Sequence, residues 1–141
     1  MIGGQIIDMD EKKPGKLEEL QRLHRMKTGA LLTASCRMGA IAAAAEERKV
    51  SALERFGRHL GLAFQIVDDV LDQTATPEQL GKATNKDAAK GKMTYPTLIG
   101  MEASKREAER NLAAGLEAIS LFGAEADGLR TLAKFVVERQ V

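Results

Sequence analysis

Apolar side chains recur at helical spacing along most of this chain, and no stretch alternates long enough to indicate a β-strand. The first clear pattern begins at Leu17, after which Leu20, Leu23, Thr28 and Leu31 lie near one stripe. Acidic residues come early and basic residues late in this segment, as the helix dipole favours. The pattern predicts an all-α fold.

Glycine and alanine shape the middle of this first helical region. A glycine destabilises a helix interior by about 1 kcal/mol relative to alanine, so Gly29 indicates a kink or the close approach of another backbone. Ordinary tight packing between helices explains it equally well. The alanine-rich segment 29–45 follows, and its small side chains lead us to expect it in the core.

A second long helix is predicted from Ser51 to about Gln73. Ser51 is an N-cap candidate, and Glu54 three residues later completes the pattern of a capping box. The buried stripe predicted for this helix consists of Leu53, Phe56, Leu60, Ala63, Phe64, Val67 and Leu71.

Residues 73–93 contain proline, glycine, asparagine and lysines without an apolar period, which is the composition of a long loop. Loops of this length in a compact domain usually carry function. Thr94 then caps a new helix with Pro96 in its first turn, and a last helix begins near Glu125. The apolar faces predicted for these two helices consist of Met101, Ala108, Leu112, Leu116, Ile119 and Phe122 in the first and Leu129, Leu132, Ala133 and Val136 in the second.

Composition and charge narrow the range of partners. The chain has 141 residues, of which 44% are apolar and 29% charged, and this suits one globular domain. Its formal charge of +1 is mixed along the chain, so we expect no basic surface for nucleic acid or an anionic membrane. Cys36 is the single cysteine, no apolar run approaches the roughly 20 residues of a membrane span, and the acidic N-terminus does not resemble a signal peptide. We expect a cytoplasmic protein.

Four polar side chains share one face of the second long helix. At about 100° per residue, Gln65, Asp68, Asp69 and Asp72 fall within roughly a third of the helix circumference. Like charges one turn apart destabilise a helix, so three carboxylates here favour a bound cation. Mg2+ prefers carboxylate oxygens and is commonly held by one or two of them together with substrate phosphates. A solvated acidic face is the alternative, and the apolar flanks of the cluster disfavour it.

Four segments in order resemble one known family. FQIVDDVLD, followed by LGK and KMTYP, resembles the second aspartate-rich region of the trans-isoprenyl diphosphate synthases, nearest to the farnesyl and geranylgeranyl diphosphate synthases. IGGQIIDM resembles the family's G-Q-x-x-D segment at Gly4, Gln5 and Asp8, HRMKTGALL its K-T-G-x-L segment, and AKFVVERQ its closing helix. The resemblance implies that residues 1–141 are the C-terminal part of an all-helical domain, a partial bundle of the isoprenoid synthase type.

The resemblance also implies an activity, the transfer of an allylic diphosphate onto isopentenyl diphosphate with Mg2+ as cofactor. The product would be farnesyl or a longer prenyl diphosphate, formed through an allylic carbocation. The metal ligands would be Asp68, Asp69 and Asp72, which hold Mg2+ against the leaving diphosphate as its charge grows. Lys27 would bind the same diphosphate, and Thr28 and Gln65 would direct oxygen dipoles at the carbocation.

Further residues are assigned by the same resemblance. Lys82 matches the family's G-K lysine and Lys92 the lysine before T-Y-P, so both are candidate diphosphate ligands, with solvated surface lysines as the alternative. Asn85 stands where the family often has glycine, and it tolerates a left-handed backbone. His24 is expected to pack or to hydrogen-bond rather than to catalyse. Arg139 resembles a closing-helix residue that reaches a second diphosphate.

One family motif is missing from the printed sequence. The family has a first aspartate-rich motif with a following arginine pair, and these 141 residues contain neither, since Asp8 and Asp10 do not form it. We therefore expect part of a larger enzyme, inactive alone, with exposed apolar stripes that drive association. The full-length parent would be a homodimer. The alternatives are a non-catalytic partner subunit that contributes a Mg2+-diphosphate face, and a helical interaction domain with a coincidental acidic cluster.

Overall fold

The computed structural model describes residues 1–9, 15–74 and 93–139, with only the backbone for Asp8 and Met9. These ranges are helical and contain no strand, which confirms the all-α prediction. The helices are α1 (Ile2–Met9), α2 (Leu17–His24), α3 (Ala30–Ala42), α4 (Glu47–Thr74), α5 (Tyr95–Ile99), α6 (Met101–Ala118) and α7 (Asp127–Glu138). A π-helical turn at Arg25–Gly29 joins α2 to α3, and a 3-10 turn at Ala124–Ala126 precedes α7. Within the described ranges, no helix is long and apolar enough to cross a membrane.

Helix α4 is the central element of the fold. It packs along α3 and α6 and also contacts the π-helical turn, α7, α5 and α2. Because neighbours cover several of its sides, the single predicted stripe describes only part of its buried surface. The buried residues of α4 are Val50, Ala52, Phe56, Gly57, Leu60, Gly61, Leu62, Ala63, Ile66, Val67 and Asp69.

Two apolar clusters hold the other helices against α4, and each fully buried large side chain in them contributes roughly 1.5–3 kcal/mol. The first cluster consists of Leu20, Leu23, Leu62, Ile66, Val67, Tyr95 and Ala108. The second consists of Phe56, Leu60, Ile119, Ala126, Ala133 and Val136. The first therefore fixes α2 and α5 on α4, and the second fixes α7.

Helix α4 begins one turn before the predicted N-cap. The amide groups of Lys49 and Val50 donate to the Glu46 carbonyl at 2.8 and 3.0 Å, so the first turn is already closed there. Ser51 lies inside the helix, where its hydroxyl donates to Glu47 Oε1 at 3.5 Å. The capping box predicted at Ser51 is wrong, because nothing in the preceding residues breaks the helix.

The segment after residue 92 follows the prediction at its start and departs from it at Gly100. Thr94 and Thr97 form a capping box in which Thr97 Oγ1 accepts from the Thr94 amide at 2.8 Å. Pro96 lies in the first turn, as predicted. Gly100 has a φ of 84°, in the left-handed region that favours glycine. One predicted helix is therefore two, α5 and α6. The loop predicted over 73–93 lies, for residues 75–92, outside the described residues.

Helix α3 corrects another expectation. The alanine-rich segment was expected in the core, but Ala40 is the buried residue of α3, and Leu31, Met38 and Ile41 are 52%, 67% and 56% exposed. One side of α3 packs on α4, and the opposite side is left open by the rest of the described chain. The other exposed large apolar residues in these ranges are Met1, Ile2, Ile6, Leu132 and Phe135. The expected exposed apolar surface is therefore present.

Candidate functional site

The π-helical turn that carries Lys27 is enclosed by glycines of two other helices. A Cβ added at Gly4 of α1 would lie 2.4 Å from the Lys27 amide nitrogen, and a Cβ added at Gly61 of α4 would lie 2.7 Å from Gly29 Cα. Side-chain carbons do not approach so closely, so α1 and α4 meet this turn backbone to backbone. Of the explanations left open for Gly29, the structure shows a close backbone approach, and π-helical turns of this kind are frequent at functional sites.

An apolar depression of about 410 Å³ opens beside this turn. Lys27 and Thr28 contribute its polar side chains together with Gln5, and Met1, Ile2 and Leu31 contribute its apolar wall. The predicted pair Lys27 and Thr28 is therefore half-buried at the edge of apolar surface. Such a wall suits a ligand with an apolar body and an anionic group.

Asp69 differs from the other two aspartates of α4 in its burial and its hydrogen-bond partners. It is 4% exposed, and its Oδ2 accepts from the Tyr95 amide at 3.0 Å and lies 3.2 Å from His24 Nε2. A carboxylate only accepts hydrogen bonds, so Nε2 is the donating nitrogen. The sequence placed Asp69 on one face of the helix with Asp68 and Asp72, but the 100° step from Asp68 turns Asp69 inward towards α2 and α5.

His24 has the packing and hydrogen-bonding role expected of it. It is 6% exposed, and its ring stacks on the Tyr95 ring with the centroids 5.7 Å apart. The Tyr95 hydroxyl is buried without a hydrogen-bond partner among the described residues. Burial raises the pKa of Tyr95 to about 12, and the nearby Gln21 side chain offsets this only in part. Tyr95 therefore supplies its backbone amide and its ring rather than an ionisable group.

Asp68 lies half-buried on the outer side of α4, in contact with two donors. Its Oδ2 accepts from Gln65 Nε2 at 3.2 Å, and its Oδ1 accepts from Arg139 Nη2. Arg139 also donates to the Phe64 carbonyl at 3.3 Å, and its Cζ lies 4.3 Å from the centroid of the Phe64 ring. The guanidinium thereby ties the C-terminal end of α7 to the acidic part of α4.

The charges around Asp68 favour an additional cation. Burial raises the pKa of Asp68 above its ordinary value, Arg139 opposes this, and the carboxylates of Asp72 and Asp69 raise it further. Asp72 is exposed one turn along α4. Asp68 and Asp72 therefore fit a Mg2+ ion whose remaining ligands are water and phosphate oxygens. In the part of the chain that the structure describes, no three His, Cys, Asp or Glu side chains are grouped to enclose a metal ion.

The predicted loop ligands Lys82 and Lys92 lie outside the described residues, as does Asn85, and their roles stay predictions. The same holds for Asp10 and for the side chain of Asp8. A hydrogen bond connects the described residues on either side of this segment: Gln73 Nε2 donates to Thr94 Oγ1 at 3.0 Å. The chain therefore leaves and rejoins the described structure near the C-terminal end of α4.

The contact of Asp69 with His24 and Tyr95 was not foreseen from the sequence. The partners are 45 and 26 residues away along the chain. Helical periodicity places residues on faces within one helix, and it carries no signal about which helix covers a face. The sequence gives one weak indication that Asp69 is buried: its side chain is rotated by 100° from that of Asp68, towards the apolar residues that flank the cluster.

Comparison with known proteins decides the family. Residues 1–120 match the family model for the polyprenyl synthetases. This chain belongs to the polyprenyl synthetase family. It is 43% identical over 141 residues to the geranylgeranyl diphosphate synthase of Cyanophora paradoxa, a match that covers 99% of this chain and 47% of that protein.

Solved structures of family members have the same fold. An FPP/GFPP synthase from Zymomonas mobilis matches with a TM-score of 0.81 and 31% identity, covering 96% of this chain and 45% of that one. A geranyltransferase from Helicobacter pylori, solved with magnesium and isoprenyl diphosphate, matches with a TM-score of 0.69 and 33% identity over 98% of this chain and 43% of that one. The all-α isoprenoid synthase fold is thus confirmed, and the chain spans about half the length of these relatives.

Proposed function

We propose that this polyprenyl synthetase chain is the part of a prenyltransferase that holds Mg2+ and a prenyl diphosphate. The parent enzyme would transfer the prenyl group of an allylic diphosphate to isopentenyl diphosphate, with loss of pyrophosphate and a proton, and form farnesyl or a longer prenyl diphosphate. One observation carries the proposal: the carboxylates of α4 and the lysine of the π-helical turn belong to elements in direct backbone contact at Gly29 and Gly61.

Metal and diphosphate binding divide between the two elements. Asp68 and Asp72 would hold Mg2+, with diphosphate oxygens among its other ligands, while Lys27 would bind the diphosphate as a point charge. A bound Mg2+ neutralises the charge that develops on the departing diphosphate. Lys82 and Lys92 would add further positive charge to the same anion.

Two polar side chains would act on the organic part of the substrate. Gln65 donates to Asp68 through Nε2, which leaves its carbonyl oxygen free to face an allylic cation. Thr28 lies next to Lys27 on the wall of the apolar depression and would present its hydroxyl oxygen in the same way. Oxygen dipoles aimed at a developing cation lower the barrier to its formation.

Calorimetry with Mg2+ and inorganic pyrophosphate tests this proposal. We expect each ligand to tighten the binding of the other by tenfold or more, because the metal and the anion share a site. Asp68→Ala should abolish this enhancement, and Lys27→Ala should weaken pyrophosphate binding. Glu102→Ala, an exposed change on α6, is the matched control. A folded wild-type chain without mutual enhancement would exclude the proposed site.

We also propose that these 141 residues do not turn over substrate alone, because they contain no first aspartate-rich motif. The expected result is no labelled prenyl product from dimethylallyl diphosphate and isopentenyl diphosphate, although Mg2+ and pyrophosphate bind. Measurable turnover by the purified chain would contradict this. The parent enzyme is proposed to be a cytoplasmic homodimer.

A second candidate is a non-catalytic partner subunit that offers the same Mg2+-diphosphate face to another synthase. The exposed apolar residues of α1 and α3 favour it, since exposed apolar patches commonly mark protein interfaces. Mixing the chain with a complete family member separates the candidates. A partner subunit should bind it stoichiometrically and change its product, whereas a chain with no effect would exclude this alternative.

A further inference from the structure

We infer that Asp69 is a positioning residue rather than a metal ligand. Its oxygen Oδ2 connects α4 to the last residue of α2, which leads directly into the π-helical turn that carries Lys27, and to the start of α5. The inference rests on the proposed Mg2+-diphosphate site and goes beyond it, because it assigns the alignment of the two halves of that site to one buried carboxylate.

The contact to His24 links α4 to the π-helical turn. His24 is the last residue of α2, and the turn that carries Lys27 begins at the next residue. The distance of 3.2 Å from His24 Nε2 to Asp69 Oδ2 therefore sets where α2 ends against α4. On α4, the proposed metal ligand Asp68 is the residue next to Asp69. The bond thus sets how α4, with Asp68, is rotated relative to the backbone of the turn that carries Lys27.

The contact to Tyr95 links the same oxygen to the segment that follows residues 75–92. The Tyr95 amide donates to Asp69 Oδ2 at 3.0 Å, and the preceding residue, Thr94, accepts from Gln73 at 3.0 Å. The Tyr95 ring also lies 10° from parallel with the His24 ring and thereby fixes the plane of the imidazole. The three elements are held by hydrogen bonds that reinforce one another.

Burial explains why this arrangement is specific. A carboxylate shielded from water is strongly destabilised unless donors surround it, so the loss of either donor leaves an uncompensated buried group. Asp69 is 4% exposed and His24 is 6% exposed, and water therefore does not readily replace either partner. The same burial keeps Asp69 away from the solvent where a hydrated Mg2+ would bind.

A coupling measurement separates a positioning residue from a ligand. A ligand contributes to the binding of Mg2+ alone, whereas a residue that aligns the metal side with the lysine side contributes to the factor by which Mg2+ and pyrophosphate enhance each other. The three quantities to measure for each variant are the Kd of Mg2+ alone, the Kd of pyrophosphate alone, and this coupling factor.

We expect Asp69→Asn and His24→Ala to leave the Kd of Mg2+ within about twofold and to reduce the coupling factor by about tenfold or more. The double variant should be no worse than the worse single variant, because the two residues act through one bond. His24→Gln, which keeps an amide donor, should recover part of the coupling. Loss of stability alone would not produce this rescue at constant Mg2+ affinity.

His59→Ala is the matched control, because His59 is a half-buried histidine of α4 that also contacts a side chain of another helix, with Asn111 Oδ1 3.1 Å from its Nδ1. It should leave the coupling unchanged. If Asp69→Asn weakens the binding of Mg2+ alone and His24→Ala does not, Asp69 is a ligand and the inference is overturned. If the wild-type chain shows no coupling, the proposed function fails and the inference with it. If Asp69→Asn does not fold, the two His24 variants decide the outcome alone.

Discussion

Asp68 and Asp69 are adjacent in the chain, yet their surroundings differ because one helical step turns a side chain by 100°. Asp69 faces inward and accepts hydrogen bonds from buried donors, whereas Asp68 remains at the half-exposed rim beside Arg139. A carboxylate at the rim exchanges partners far more readily than a buried one. The D-D-x-x-D pattern therefore contains residues in two different environments, which is why we propose different roles for them.

The titration of Asp68 should report on metal binding. Burial raises its pKa, so between the ordinary and the raised pKa the native state binds more protons than the unfolded state. This group therefore makes the free energy of unfolding fall as pH rises through that window. Mg2+ with pyrophosphate favours the charged carboxylate and should lower the pKa. Carbon-detected NMR of the Asp68 carboxyl measures both values, and a pKa unmoved by the ligands would contradict metal binding there.

Arg139 should compete with Mg2+ for Asp68, since its guanidinium bonds to Oδ1 of that carboxylate. We expect Arg139→Gln to tighten Mg2+ binding at neutral pH by about threefold, the scale of a partly exposed ion pair. Lys134→Gln removes the same charge from an exposed position of α7 and should have little effect. Weaker Mg2+ binding in Arg139→Gln would indicate that Arg139 supports the metal site instead.

At the scale of elements, glycine decides how closely α4 approaches the π-helical turn. Gly61→Ala would place a Cβ 2.7 Å from Gly29 Cα, and we expect overpacking of this kind to lower the free energy of unfolding by roughly 1–3 kcal/mol. Gly39→Ala, at a position of α3 with nothing within 4 Å, should stabilise by roughly 0.5–1 kcal/mol. Urea denaturation of both variants makes the comparison. Equal changes in the free energy of unfolding for the two variants would contradict the close contact at Gly61.

The ends of the helices show where local sequence signals are enough to predict a boundary. Thr94 caps α5 as the sequence predicts, because the two threonine side chains and the proline act within one turn. The capping pattern at Ser51 misleads for the opposite reason, since an N-cap residue is decided by where the preceding backbone stops being helical. Gly100 also follows from local chemistry, yet a single glycine within an apolar period does not reveal the sign of its φ.

At the scale of the molecule, the open apolar side of α1 and α3 should drive association. We expect sedimentation to show oligomers of the wild-type chain, because exposed apolar patches favour contact. Ile41→Lys should shift the chain towards the monomer, since Ile41 is 56% exposed on that side of α3. Ala113→Lys adds the same charge at an exposed position of α6 as a control. A monomeric wild-type chain at high concentration would contradict the prediction.

The sequence by itself determined the helical class, most helix positions, the cap at Thr94 and the family. These features follow from period, from turn chemistry and from motifs, all of which are encoded within a few residues of one another. The segments with the family motifs also pointed to α4 and the π-helical turn, the elements that carry the proposed site.

Only the tertiary structure decided which side chains of those elements meet. It turned Asp69 away from Asp68 and onto His24 and Tyr95, placed Arg139 on Asp68, and left one side of α3 uncovered. The physical reason is that a side chain's environment depends on which distant helix covers its face. A period of 3.6 residues defines the face, and only the packing of whole helices defines what covers it.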